Sequence, residues 1–319
     1  MQSKKNNTSG PIFSILTVLL LSMIIAPNLP GVYAQNNTNT SSNNDQFVAS
    51  SNNNTESDNF VSSNGTLTLS NNTIGLHNED VVYFNNTNGY LVYPENTAAE
   101  EGGNASDSKL PAVVMVHEWW GLNDNIKNMA DELAKEGYVV LAVDLYNGKV
   151  ATSPDEAMSL VTSARENQNA SNSNLLAAVE YLKSLDTVDS SKIVSIGWCF
   201  GGGQALQLAL NTDPSSPLAA TVLYYGNLVT DEQQLSKIKG PVLGIFGSED
   251  QSIPVSEVKK FEEALNANNI TNEIHIYEGV GHAFANPTGD NFAPNELKDA
   301  WQKTIKFLET HVKTNNEQQ

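Results

Sequence analysis

From about Asn78 onward, short continuous apolar runs alternate with longer stretches in which apolar residues recur every three or four positions. Val81 to Phe84 and Tyr90 to Tyr93, joined by the turn-forming Asn85 to Gly89, predict a hairpin. Pro111 to Val116 and Tyr138 to Val143 are apolar without interruption, as in strands covered on both faces. Between them Ile126, Met129, Ala130, Leu133 and Ala134 keep helical spacing, with Asn123 or Asp124 able to cap the start and Gly137 the end. Ser153-Pro154-Asp155-Glu156 combines a capping box with proline at the first helical position, and a further helix carries Leu175, Leu176, Val179 and Leu182. Strands are then expected at Lys192 to Ile196, Ala220 to Tyr225, Val242 to Phe246 and Glu273 to Tyr277. Helices are expected at Gly201 to Leu210, at Val255 to Asn266, and through Leu297, Trp301, Ile305 and Leu308. This alternation predicts an α/β fold with a mostly parallel central sheet and helices on both faces. In such a sheet, ligand chemistry belongs at the C-terminal strand ends.

The N-terminal part follows a different pattern. Lys4 and Lys5 precede an apolar run from Pro11 to Pro27, and Val32 and Ala34 suit a signal-peptidase site, so residues 1–34 are expected to be a secretory signal peptide. The run falls short of the ~20 residues that a membrane-spanning helix needs. The protein is therefore expected outside the cytoplasm, or held at the cell surface if the signal stays uncleaved. Residues 35–76 are mostly Asn, Ser and Thr, with too little apolar surface to offset the entropy of ordering, and are expected to be a disordered linker. Asn-x-Ser/Thr triplets at Asn36, Asn39, Asn53, Asn64 and Asn71 suit glycosylation, although such a composition also generates them by chance. One domain, residues 77–315, remains.

The chain has 319 residues and a formal charge of −19. That leaves no basic surface for phosphates or anionic lipid, which argues against nucleic-acid and membrane-surface partners. Its single cysteine can form no intrachain disulfide and no multi-thiolate zinc site. No Gly-rich phosphate loop or metal-ligand cluster stands out, so neither a cofactor nor a metal is expected. A small-molecule substrate and a monomeric state are.

The cysteine stands where an apolar strand gives way to a helix, in Ile196-Gly197-Trp198-Cys199-Phe200-Gly201-Gly202. Glycines two before and two after a nucleophile permit the sharp turn that lifts its side chain above the sheet. The helix N-terminus behind it favours negative charge. A lone cysteine is more often an inert buried thiol, so the decision falls to partners at other strand ends. Val242 to Phe246 leads into Gly247-Ser248-Glu249-Asp250, and Glu273 to Tyr277 leads toward Gly281-His282. The order Cys199, Asp250, His282 is nucleophile, acid, histidine. Asp250 is the favoured acid, with Glu249 the alternative that only the loop path can decide. The backbone N–H groups of Phe200 and Trp119 are candidate oxyanion donors. Glu118, at the end of the strand before Trp119, is placed to hold or remove the thiol proton, or merely to bond nearby backbone. Trp119, Trp120 and Trp198 are expected to wall a pocket or to pack as core. His77, His275 and His311 suit solvent or packing roles.

With VVMVHEWWGLND, VVLAVDLY, GWCFGG, GSEDQSIP and GVGHAFANP in this order, the chain resembles the dienelactone hydrolase family from about Asn78 to Lys313. The resemblance implies an α/β-hydrolase fold, a Cys199–Asp250–His282 triad and an oxyanion hole from Trp119 and Phe200. It also implies that Glu118 governs the ionisation of the thiol, and that the activity is hydrolysis of an enol-lactone ester. The family places an arginine four residues past the histidine to hold a substrate carboxylate; this chain has Asn286, which points toward a neutral or differently shaped ester or lactone. Arg165, the sole arginine, suits a carboxylate or an exposed helix face equally. Trp120, Trp198, Asn286 and Arg165 are thus the expected substrate-binding residues. The competing functions are a hydrolase-fold binder or thiol redox sensor without turnover, and a surface stalk protein, which leaves the elbow, acid and histidine unexplained.

Overall fold

A computed structural model of the chain describes residues 74–95 and 109–313. The expected signal peptide, and the expected linker up to residue 73, lie outside the described residues. Strands β1 (Leu76–Phe84) and β2 (Thr87–Pro94) form the expected hairpin. Its turn is tighter than expected, because Asn85 and Asn86 both adopt positive φ (44° and 79°). Asparagine tolerates that region, which matches a two-residue turn to the strand twist.

β3 (Leu110–Val116), α1 (Asp124–Lys135) and β4 (Val139–Val143) follow. Asn123 caps α1, its side chain accepting the Ile126 N–H at 3.2 Å, and Gly137 ends it at φ 87°. α2 (Pro154–Glu166) starts at Ser153, whose hydroxyl accepts the Glu156 N–H, and α3 (Gln168–Lys183) follows after one residue. β5 (Val188–Trp198), α4 (Phe200–Asn211) and β6 (Ala220–Tyr224) come next. α5 (Glu232–Leu235) was not expected; it is one short turn capped by Asp231. β7 (Val242–Gly247), α6 (Val255–Ala267), β8 (Asn272–Tyr277) and α7 (Pro294–Leu308) complete the domain, and α7 runs into a π-helical turn, Glu309–Lys313.

The described strands make one eight-stranded sheet in the order β1-β2-β4-β3-β5-β6-β7-β8. β3 to β8 pair in parallel, and the hairpin joins β4 antiparallel. Side chains alternate between the two faces of a strand. Val114 and Val116 of β3 therefore enter a core with α3, α4 and α6, while Val113 and Met115 enter a second core with α1 and α7. Truncating a fully buried residue such as Leu133 or Phe261 to alanine removes packing worth about 2–5 kcal/mol. Because β3 lies between β4 and β5, the connections leaving β3 and β5 diverge. A crevice opens at such a reversal, beside the C-terminal strand ends. Among the described residues, no helix is long and apolar enough to cross a membrane.

Candidate active site

Cys199 sits between β5 and α4 with φ 54° and ψ −117°, a region that L-residues adopt at a cost of about 1–3 kcal/mol. Its neighbours make the turn possible. A Cβ on Gly197 would collide with the Gly201 carbonyl, and one on Gly201 would collide with the Val116 carbonyl at the end of β3. The Cys199 N–H donates to Tyr224 O at 3.0 Å, tying the elbow to β6. The thiol is half-buried.

His282, beyond β8, brings Nε2 to 3.1 Å from Cys199 Sγ and Nδ1 to 2.8 Å from Asp250 Oδ2. The other Asp250 oxygen accepts the Ser252 N–H at 2.7 Å and the Ile253 N–H at 3.0 Å. Burial opposes a charge on the imidazole, but the hydrogen bonds to Asp250 and Cys199, with their negative charge, outweigh it and raise His282 to about 10. Burial likewise opposes the Asp250 charge, yet His282 and the two backbone N–H groups hold its carboxyl below the usual range. Glu249 is exposed. Of the two candidate acids, the loop turns Asp250 inward.

Glu118, just past β3, is 3% exposed. Burial lifts its carboxyl to about 7, against the opposing pull of the His282 charge and of a hydrogen bond that Asn286 Nδ2 donates to Oε2. His117 pins the same loop. Its Nδ1–H donates to Glu118 O at 2.6 Å, while Nε2 accepts the Leu145 N–H at 3.1 Å, so the ring is neutral and burial keeps it so. Among the described residues, the Trp119 and Phe200 N–H groups have no intramolecular acceptor. No group of three His, Cys, Asp or Glu side chains there is placed to hold a metal ion.

The model of the dienelactone hydrolase family matches residues 99–312. The chain belongs to the dienelactone hydrolase family. A family relative in Saccharolobus solfataricus, provisionally named a carboxymethylenebutenolidase, is 32% identical over 240 residues, covering 62% of this chain and 88% of its own. A provisionally named dienelactone hydrolase from Klebsiella pneumoniae subsp. pneumoniae MGH 78578 superposes with a TM-score of 0.62 at 26% identity, over 73% of this chain and 98% of that one. MGS-M1, an α/β-hydrolase enzyme from a deep-sea metagenome, shares the fold with a TM-score of 0.55 at 17% identity, over 75% and 99% of the two chains. The fold is that of the α/β-hydrolases.

Two of the residues expected to bind substrate are placed otherwise in this family member. Trp198 is 3% exposed and packs against Tyr224 in the α1/α7 core, because it shares a face of β5 with Ile196. Asn286 is buried, and its amide is committed to Glu118 and Thr288. Trp120 is half-buried, edge-on to Trp119 with ring centroids 4.9 Å apart. Arg165 is exposed at a cavity of about 260 Å³ that Phe200, Gln204 and Asn227 also line.

Sequence reasoning passed over two tyrosines. Tyr225, at φ 38°, lies one residue beyond β6, with its ring 5.2 Å from that of His282. Tyr146 stacks on Phe200 at 5.6 Å and packs on His117 at 4.6 Å. Among the described residues, the Tyr146 hydroxyl is buried without a hydrogen-bond partner, and the buried Tyr225 hydroxyl faces the Ala285 backbone N–H. Burial, followed for Tyr146 by the Cys199 charge and for Tyr225 by the charges of Glu118 and Cys199, holds both phenols in the neutral form. Their position just past a strand end was the available signal.

Proposed function

We propose that this protein is an exported hydrolase of an ester or lactone bond in which Cys199 is the nucleophile and His282 and Asp250 complete a triad. The observation that carries the reading is the unbroken chain from Sγ through the imidazole to a buried carboxylate, 3.1 Å and then 2.8 Å. Membership of the dienelactone hydrolase family supports hydrolysis as the reaction class. The export reading rests on the pattern of residues 1–34.

The reaction begins with the thiol proton on His282, whose imidazolium is stabilised by Asp250. The thiolate attacks the carbonyl carbon, and the developing oxyanion accepts hydrogen bonds from the Phe200 and Trp119 N–H groups. Collapse breaks the bond to the leaving oxygen, which takes the proton from His282 Nε2. An acyl-thioester remains. Neutral His282 then removes a proton from water as it attacks, and expulsion of the thiolate releases the carboxylic acid and restores the ion pair. A phenolate or enolate leaves easily in such a scheme and an amine poorly, so esters and lactones are the substrate class. With Asn286 committed elsewhere, an uncharged ester or lactone is the favoured one.

Protein lacking residues 1–34 should hydrolyse p-nitrophenyl acetate or a dienelactone. Cys199→Ala should lower kcat about 10³-fold or more, as loss of a nucleophile does in a triad. Equal turnover by that variant would remove Cys199 from the mechanism.

A further inference from the structure

Both ends of the Asn286 side chain are in use. Its amide oxygen accepts the Thr288 N–H at 2.8 Å and the Thr288 hydroxyl at 2.7 Å. That double donation decides which way the amide faces. The NH₂ group points the other way and donates to Glu118 Oε2, across 168 residues of sequence. Asn286 is 4% exposed and Glu118 is 3% exposed, so neither side chain presents a free surface to a substrate.

Asn286 also shares a loop with His282. That loop is held from within: the Asn291 side chain donates to His282 O at 2.9 Å, the Asn286 N–H donates to Ala283 O at 3.0 Å, and Ala283 takes a positive φ of 61°. One short segment thus carries the imidazole and, four residues on, the group that grips Glu118.

We propose that Asn286, aimed by Thr288, is a positioning residue: it fixes the Glu118 carboxylate beside the His282 imidazolium and acts on turnover through Glu118 without touching the substrate. The proposal rests on the cysteine-hydrolase reading. A carboxylate this deeply buried would otherwise lower its energy by swinging away or by taking a proton. A neutral amide donor stabilises the ionised form yet leaves its charge intact, so the field of Glu118 still reaches the imidazolium. A cation in the same place would pair with Glu118 and withdraw that field. The other groups facing Glu118 are His282, whose charge favours its ionisation, and Tyr225 from the end of β6, a neutral phenol.

The test measures kcat and KM for p-nitrophenyl acetate from pH 5 to 9 in the full domain. It compares wild type with Asn286→Leu, Asn286→Asp, Thr288→Val and Thr288→Ser, with Cys199→Ala as the blank. Asn286→Leu should lower kcat about tenfold at pH 7, leave KM within about twofold, and move the acid limb to higher pH, because Glu118 loses a donor to its ionised form. Asn286→Asp should move that limb further, by setting a second carboxylate against the first. Thr288→Val should give a smaller loss in the same direction, and Thr288→Ser should restore wild-type behaviour. A rise in KM with an unmoved acid limb would make Asn286 a substrate contact and overturn the proposal. So would losses that follow the thermal midpoint with the limb unmoved, since those belong to a structural role. Turnover by Cys199→Ala equal to wild type would instead defeat the hydrolase reading itself, which keeps the two failures distinct.

Discussion

Two buried carboxylates feel the same imidazole from loops at opposite sides of the elbow, and they are shifted in opposite directions. Asp250, after β7, has one oxygen on His282 and the other on two backbone N–H groups, and these hold it ionised despite burial. Glu118, after β3, has the same 3% exposure but, among the described residues, a single amide as its side-chain hydrogen-bond donor, and it rises to about 7. Surface exposure is equal, but the surroundings are not: burial is the largest cause at Glu118 and outweighs the His282 charge and one amide, whereas at Asp250 the hydrogen bond and charge of His282, with two backbone N–H groups, outweigh burial. The contrast assigns Asp250 a constant charge that orients the ring, and Glu118 a charge that can change within the working pH range.

The severest test of this contrast is Asp250→Asn. An amide can still reach Nδ1 but can fix the wrong tautomer, so kcat for a neutral ester should fall on the order of 10⁴-fold. Turnover within about tenfold of wild type would transfer the orienting role to Glu118. Glu118→Gln comes next, with an expected loss of about 10²-fold and a changed pH profile. Wild-type kcat should rise as pH climbs through about 7 and Glu118 ionises. The glutamine variant should be flat there in a steady-state profile. A rise that survives the substitution would belong to another group.

The smallest effect concerns stability. Glu118 binds its proton more tightly folded than unfolded, so wild type should lose stability as pH rises from about 4.5 to about 7. Asp250 has the reverse sign: its contribution is present above the ordinary aspartate range and is lost as pH falls through its depressed value. Glu118→Gln should therefore gain in thermal midpoint relative to wild type between pH 4.5 and pH 8. A constant difference between the two proteins across that range would contradict the raised Glu118.

Much of this arrangement was legible in local pattern. Pro111 to Val116 read as a strand of the kind covered on both faces, and glycines at 197 and 201 had a steric reason to flank the turn at Cys199. Of the two roles open to Trp198, pocket wall or core, the structure shows the second, in keeping with the alternation of β5 that sets it on the same face as Ile196. The hairpin turn and α5 depend on one or two residues each, where local preference is weakest. Asn286 was read as a substrate contact, and its bond to Glu118 was not legible, because the two lie 168 residues apart.

The sequence by itself determined the alternating strands and helices, the sharp turn at Cys199 and the order in which the acid and histidine arrive, since these depend on periodicity and on residue size at neighbouring positions. Only the tertiary structure decided that Asp250 rather than Glu249 faces the ring, that Trp198 belongs to the core, and that Asn286 grips Glu118. Those choices are made by loop paths and by burial, where a side chain takes whichever partner the packed chain brings within hydrogen-bond reach.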